Sequence, residues 1–123
     1  MKYKYEKPKE LIDKITSYIV SAKKNGMLAL EDEIENEDNI FLKLLLNDLV
    51  FNINPTALKN YKRFIKYYVK ELDSSQSEKY KIKKQLKMIL KAITLFAYEE
   101  NIETIKLSMN SYYPELNNEV DEL

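Results

Sequence analysis

Apolar residues along this chain recur every three or four positions, and no segment alternates strictly between apolar and polar residues. The first stripe of this kind consists of Leu11, Ile12, Ile15, Tyr18, Ile19 and Ala22. Such spacing places the apolar side chains on one face of an α-helix, whereas a half-buried β-strand needs a period of two. The pattern therefore predicts an all-α fold, a small single-domain bundle of about five helices.

Residues that favour helix ends set the predicted boundaries. Gly26 follows the first stripe and can end its helix in the left-handed conformation. Asp38 or Asn39, Asn54 before Pro55, and Asn101 each suit the N-terminal cap of a later helix. The main helices are predicted over residues 9–24, 40–51, 55–72 and 79–100, with a short helix or turn over 27–35 and a last helix after Asn101.

The same stripes predict the core and the domain limits. Residues 9–114 should form the helical domain, between a flexible basic segment over 1–8 and a disordered acidic tail over 115–123. Pro114 ends the last helix. The predicted core residues are Ile15, Ile19, Leu30, Phe41, Leu45, Leu58, Ile65, Leu86, Ile89, Ile93 and Phe96.

Composition argues against most catalytic chemistry. The chain has 123 residues with no Cys, no His and one Gly. Thiolate nucleophiles and zinc–thiolate sites are therefore excluded, as are the commonest general base and a glycine-rich phosphate loop. The acidic residues of 31–38 lack the ordered spacing and the glycine of a calcium loop. We expect no enzyme, no metal and no cofactor.

Charge is balanced overall but alternates in sign along the chain. Lys and Arg total 20, as do Asp and Glu, and residues 59–91 hold eleven basic against three acidic residues. Neighbouring blocks of opposite sign can neutralise one another in a compact bundle. Because a nucleic-acid reader is usually basic overall, nucleic-acid binding by the 59–91 block is a minor alternative and is not expected.

No stretch of this sequence is apolar enough to cross a membrane. The longest uncharged run covers residues 49–58 and includes Asn52, Asn54 and Pro55. A spanning helix needs about 20 mostly apolar residues. We expect a cytoplasmic protein, with a peripheral position at the inner membrane as an alternative.

Two blocks of sequence resemble the cytoplasmic part of the flagellar motor stator family, MotA. The first block runs from Ser21 through Lys23, Gly26 and Leu30-Glu31 to Pro55. It is similar to the family pattern of a basic residue, two residues, Gly, and an apolar run ending in Leu-Glu. The second block covers residues 91–101 and 111–114. The family has membrane helices between the two blocks, and here residues 72–81 form a short polar connector instead.

The resemblance implies a partner-binding surface. The family's two charged rotor contacts fall on Lys23 and Glu31, although the basic one is Arg in better-known members. Glu99 stands where the family often has Gly and Ile102 where it often has Pro, which favours a more continuous final helix. A detached copy of a stator domain should also keep an exposed apolar patch. Its predicted members are Leu42, Leu46, Leu49, Tyr112 and Tyr113.

Three functions are open at this point. The resemblance favours a chaperone or accessory factor that binds stator subunits and supports their stability or assembly. The alternatives are a rotor-binding brake that competes with the stator, and a helical adaptor unrelated to motility. Self-association, as between stator subunits, is possible.

Overall fold

The computed structural model describes residues 3–50 and 55–116, with side chains in the second stretch from residue 57 onward. The described residues form α-helices and one 3₁₀ turn and contain no strand, so the all-α prediction is confirmed. The helices are α1 (Pro8–Asn25), α2 (Leu30–Glu35), α3 (Ile40–Val50), α4 (Pro55–Glu71), α5 (Gln76–Ala97) and α6 (Ile102–Ser111), with the 3₁₀ turn at Met27–Ala29.

Side-chain caps begin three of these helices. The Asn39 Oδ1 accepts the amide of Leu42 at 3.0 Å, at the start of α3. Asn101 caps α6 through the amide of Thr104 at 2.8 Å, as predicted. Ser75 caps α5, which therefore begins three residues before the predicted boundary at residue 79. The predicted cap at Asn54 lies outside the described residues.

Gly26 ends α1 with a positive φ of 89°, and its amide donates to the Ala22 carbonyl at 2.8 Å. Its ψ of 162° places it outside the left-handed helical region that the sequence predicted. Both regions favour glycine, so the predicted helix end is confirmed although the backbone conformation differs.

The turn between α5 and α6 differs from the prediction. Helix α5 ends at Ala97 rather than at residue 100, and Glu99 has a φ of 61°. The Glu99 amide donates to the Phe96 carbonyl and the Glu100 amide to the Leu95 carbonyl, at 2.9 and 3.0 Å. This pair of bonds is a Schellman motif, which ends a helix through one residue of positive φ. The prediction of a more continuous final helix is therefore wrong.

The core lies between α1, α3 and α5 and is covered at its edges by α2, α4 and α6. Helix α5 is its centre, and a run of buried positions there extends from Ile82 to Phe96. Ten of the eleven predicted core residues are buried, and Leu58 is half-buried at the edge. No helix among the described residues is long and apolar enough to span a membrane.

Both ends of the described chain pack on the bundle. Tyr3 is 7% exposed, and its hydroxyl donates to the Gln85 Oε1 at 2.5 Å. The sequence predicts flexibility over residues 1–8, but Tyr3 and Glu6 both bond to Gln85 and Pro8 already belongs to α1. Leu116 also packs against the core, while the remainder of the predicted acidic tail, 117–123, lies outside the described residues.

Candidate partner-binding surface

A cleft opens where the end of α1 meets the end of α5, and we call it the Lys23 cleft. It has a volume of about 380 Å³ and is lined by Lys23, Met27, Leu49, Phe96 and Glu99, among others. Two of the predicted binding residues, Lys23 and Leu49, thus come together from helices that are far apart in sequence.

Lys23 connects α1 to the α5–α6 turn. It lies in the last turn of α1, where a cation is favoured by the helix dipole. Its Nζ donates to the Glu100 carbonyl at 3.1 Å, and the side chain is exposed. The bond reaches a carbonyl next to the positive-φ residue Glu99, so the geometry of this turn positions the lysine.

Glu31 lies on the other side of the turn that follows α1. It is exposed in the first turn of α2, where a negative charge is favoured. Between Lys23 and Glu31 the chain passes Gly26 and Leu28, which is 76% exposed. The two predicted charges therefore lie on opposite sides of a turn with an exposed leucine.

The predicted apolar patch is wrong in its central premise. Leu42 and Leu46 are 0% exposed, and Leu49 is 6% exposed. Helix α3 packs against both α2 and α5, and Phe41 also contacts Tyr61 and Phe64 of α4. Because neighbouring helices cover α3 on several sides, Leu42, Leu46 and Leu49 belong to the core rather than to an exposed surface.

The two tyrosines of the predicted patch lie away from the Lys23 cleft. Tyr113 is 3% exposed, burial raises its pKa to about 12, and the Lys84 ammonium lies 4.5 Å from its ring centroid. Tyr112 is half-buried beside lysines of α4 and α5, and its burial also raises its pKa. The seven predicted residues therefore do not form one surface.

A buried polar network joins the N-terminal segment to α1 and to the loop before α3. Lys14 Nζ lies 2.8 Å from both the Glu6 Oε1 and the Glu37 Oε2. The Tyr18 hydroxyl donates to the Glu37 Oε1 at 2.6 Å, and the Glu37 Oε2 accepts the Asn39 amide at 2.8 Å. We call this group the Lys14 network.

Gln85 of α5 extends the Lys14 network to the centre of the core. Its amide nitrogen donates to the Glu6 carbonyl at 2.9 Å, and its oxygen accepts from the Tyr3 hydroxyl. Tyr3 also accepts from the Asn39 amide group at 3.1 Å. Sequence reasoning missed this network, although Lys14 is three residues from Leu11 and four from Tyr18, which places it beside the apolar stripe of α1.

Burial perturbs the ionisation of this network. Desolvation and the neighbouring Glu37 carboxylate both raise the pKa of Tyr18 above its ordinary value. Desolvation likewise raises that of Tyr3, and it outweighs the opposing hydrogen bond from Asn39. For Lys14 desolvation acts to lower the pKa, but the bonds to Glu37 and Glu6 outweigh it and the pKa is raised.

The described residues contain no group of three or more His, Cys, Asp or Glu side chains that could hold a metal ion. No family model, no curated protein and no solved structure matches this chain. The MotA resemblance therefore rests only on the sequence blocks quoted above and stays a prediction.

Proposed function

We propose that this chain is a non-enzymatic, MotA-like protein that binds flagellar stator subunits and supports their stability or assembly. The observation that carries the proposal is the exposure of Lys23 and Glu31 around the turn after α1. In the resembling family these two positions contact the rotor, and in this proposal they lie at the edge of the surface that meets a stator subunit. Exposed charges at the edge of a contact surface tune specificity and association rate.

The α5–α6 turn also supports the resemblance. Glu99 has the positive φ that glycine accommodates best, and the family often has Gly at this position. Ile102 is the first residue of α6, the position where proline is most favoured, and the family often has Pro there. A turn of this shape therefore suits the family's residues at both positions.

The link between α4 and α5 limits what the family's function can be here. Helix α4 ends at Glu71 and α5 begins at Gln76, whereas the family has membrane helices between the corresponding blocks. The family's proton path needs those helices. A binding role toward stator subunits is the part of the function that this arrangement can keep.

A rotor-binding brake is the second candidate, and a helical adaptor unrelated to motility is the third. Lys23 itself weakens the case for the brake. A lysine offers a single point charge, whereas the arginine of better-known family members offers a planar, bidentate fork. The chaperone role needs no such rotor contact.

A pull-down from motile cells tests the proposal. The bait is the tagged chain, and a stator subunit should be recovered with it. The double variant Lys23→Ala with Glu31→Ala should recover much less. The control, Lys24→Ala with Asp32→Ala, changes neighbouring exposed charges by the same amount and should recover a normal quantity. Recovery of a rotor protein instead would favour the brake, and recovery of neither would favour the adaptor.

Deletion of the gene separates the first two candidates in the cell. Loss of a stator chaperone should lower the amount of stator protein and reduce motility. Loss of a brake should leave stator levels unchanged and alter swimming speed. Normal stator levels with normal motility would contradict both.

A further inference from the structure

A groove between α4 and α5 is lined by lysines, and we call it the lysine groove. It has a volume of about 540 Å³. Its lysines are Lys62, Lys66, Lys83, Lys87 and Lys91. Tyr112 and the lysine stems supply the apolar surface of the groove, whereas Ile65 and Leu90 at its floor are only 2% and 5% exposed. A second space of about 350 Å³ shares Lys83, Lys87 and Tyr112 with it, so the basic surface continues along α5.

These ammonium groups lack counter-charges within the described part of the chain. None of the five forms an ion pair or hydrogen bond there, in contrast to Lys14. The only carboxylates on α4 and α5 are Glu71 and Glu78, and both lie near the link between the two helices. Away from that link, the two helices that wall the groove therefore carry lysines and no carboxylate.

The spacing of the lysines defines two rows. Lys62 and Lys66 are four residues apart on α4, and Lys83, Lys87 and Lys91 repeat at the same interval on α5. Residues four apart lie on one face of a helix, so each row follows one wall of the groove. At 1.5 Å per residue the longer row extends over about 12 Å, or roughly two helical turns.

We propose that the lysine groove binds an acidic amphipathic helix of a partner protein. Laid along the groove, such a helix would place its apolar face on Tyr112 and the lysine stems. Carboxylates on both sides of that face would then meet the two lysine rows, because side chains four residues apart on the ligand match the interval of each row. This surface is separate from the Lys23 cleft, and the inference does not rest on the proposed function.

Other occupants fit the groove less well. A nucleic-acid strand would stack its bases on exposed aromatic faces, but Tyr112 in the groove is half-buried, and the exposed Tyr80 lines only the second space. The acidic helix of a second copy, α2, cannot supply an apolar face because Leu30 and Ile34 are already buried in its own core. An acidic helix from a different protein meets both requirements.

Fluorescence anisotropy with a synthetic probe tests the proposal. The probe is a labelled peptide of about four helical turns, with Leu at i, i+3, i+4 and i+7 spacing and Glu on both sides of the Leu face. A second peptide has the same composition in scrambled order. The first peptide should bind and the scrambled one should bind at least about tenfold more weakly, because only the first has an apolar face.

Two matched variants locate the binding site. Lys66→Gln with Lys87→Gln and Lys91→Gln removes three exposed groove lysines, and we expect affinity for the first peptide to fall by about tenfold. Lys4→Gln with Lys59→Gln and Lys70→Gln removes three exposed lysines that do not line the groove, and affinity should change by less than about twofold. Circular dichroism should show both variants folded.

Several outcomes would overturn the proposal. Equal losses in the two variants, or equal binding of the scrambled peptide, would mean attraction to net charge alone. Tighter binding of a single-stranded oligonucleotide that depends on the same three lysines would assign the groove to nucleic acid. Self-association in sedimentation experiments that depends on those lysines would assign it to a second copy.

Discussion

Lysines play different structural roles in the Lys14 network and in the lysine groove. The side chain of Lys14 is 28% exposed and contacts two carboxylates at 2.8 Å. The five groove lysines line an open surface and have no counter-charge among the described residues. A charge that is paired and partly buried holds segments of the chain together, whereas an exposed and unpaired charge is available to a partner.

The comparison also shows why burial matters more than residue type. The side chain of Glu37 is 2% exposed, so the network depends on its bonds to Lys14, Tyr18 and Asn39. Loss of one bond leaves a charge in a place that water cannot reach. In the groove, removal of one lysine leaves the other lysines in contact with water, so no buried charge loses its partner. The following predictions test this difference, from the largest expected effect to the smallest.

The apolar core should be the most sensitive to change. Leu46→Ala removes a fully buried side chain of α3 and should lower the free energy of unfolding by about 2–5 kcal/mol, measured by urea denaturation. The control is Leu44→Ala on the same helix, where the side chain is 43% exposed and the loss should be far smaller. Equal effects would mean that α3 is not covered as described.

Lys14→Met should be the next most costly change. It leaves the Glu37 carboxylate buried without its cation, and we expect a loss of about 3 kcal/mol, at the lower end for a buried pair because Lys14 is partly exposed. Lys66→Met makes the same substitution in the groove and should change stability by less than about 0.5 kcal/mol. Similar losses in urea denaturation would remove the distinction between the two regions.

Alkaline pH should weaken the Lys14 network and lower the stability of the folded chain. The folded-state pKa values of Tyr3, Tyr18 and Lys14 are raised, so the folded protein keeps protons that the unfolded chain releases. Stability should therefore be full below about pH 10 and fall as the pH rises above it. The urea midpoint followed from pH 8 to pH 11 measures this loss.

A tyrosine variant should reduce this pH dependence. Tyr18→Phe removes one of the groups whose pKa is raised, so its urea midpoint should fall less steeply with pH than that of the parent chain. Tyr67→Phe, at a side chain that is 62% exposed, serves as the control and should leave the slope unchanged. A steeper slope in Tyr18→Phe would contradict the account of the network.

The smallest expected effect is a gain at the α5–α6 turn. Glu99→Gly relieves a positive φ of 61°, which costs a residue with a side chain about 1–2 kcal/mol, and part of this gain is offset by the greater backbone entropy of glycine. We expect a net gain of roughly 0.5 kcal/mol in the free energy of unfolding. Glu100→Gly, the control next to it, should give no gain, and a loss in Glu99→Gly would contradict the Schellman geometry.

Most of the fold could be predicted because its signals are local. Apolar spacing located the helices, and Gly26, Asn39 and Asn101 ended or began them as predicted. The error at the α5–α6 turn arose because the local sequence is compatible both with a continued helix and with a helix end. Glu99 does not favour a positive φ, so nothing in its own chemistry indicated that α5 would end just before it.

The candidate surface was predicted only in part. Lys23 and Glu31 are exposed as expected, since charged side chains seldom lie inside unless they are paired. The apolar patch failed because Leu42 and Leu46 look the same in sequence whether one neighbour covers α3 or several do. Neither the Lys14 network nor the lysine groove could be derived from spacing alone, because each joins segments far apart in the chain.

The sequence by itself determined that this protein is helical, where most of its helices lie, and which charges alternate along it. These follow from side-chain periodicity and from capping chemistry within a few residues. Only the tertiary structure decided that Lys14 is paired, while Lys66 and Lys87 have no partner within residues 3–50 and 57–116. Pairing depends on which distant carboxylates the packing of helices brings within a few ångströms. The spacing of residues along the chain does not give that distance.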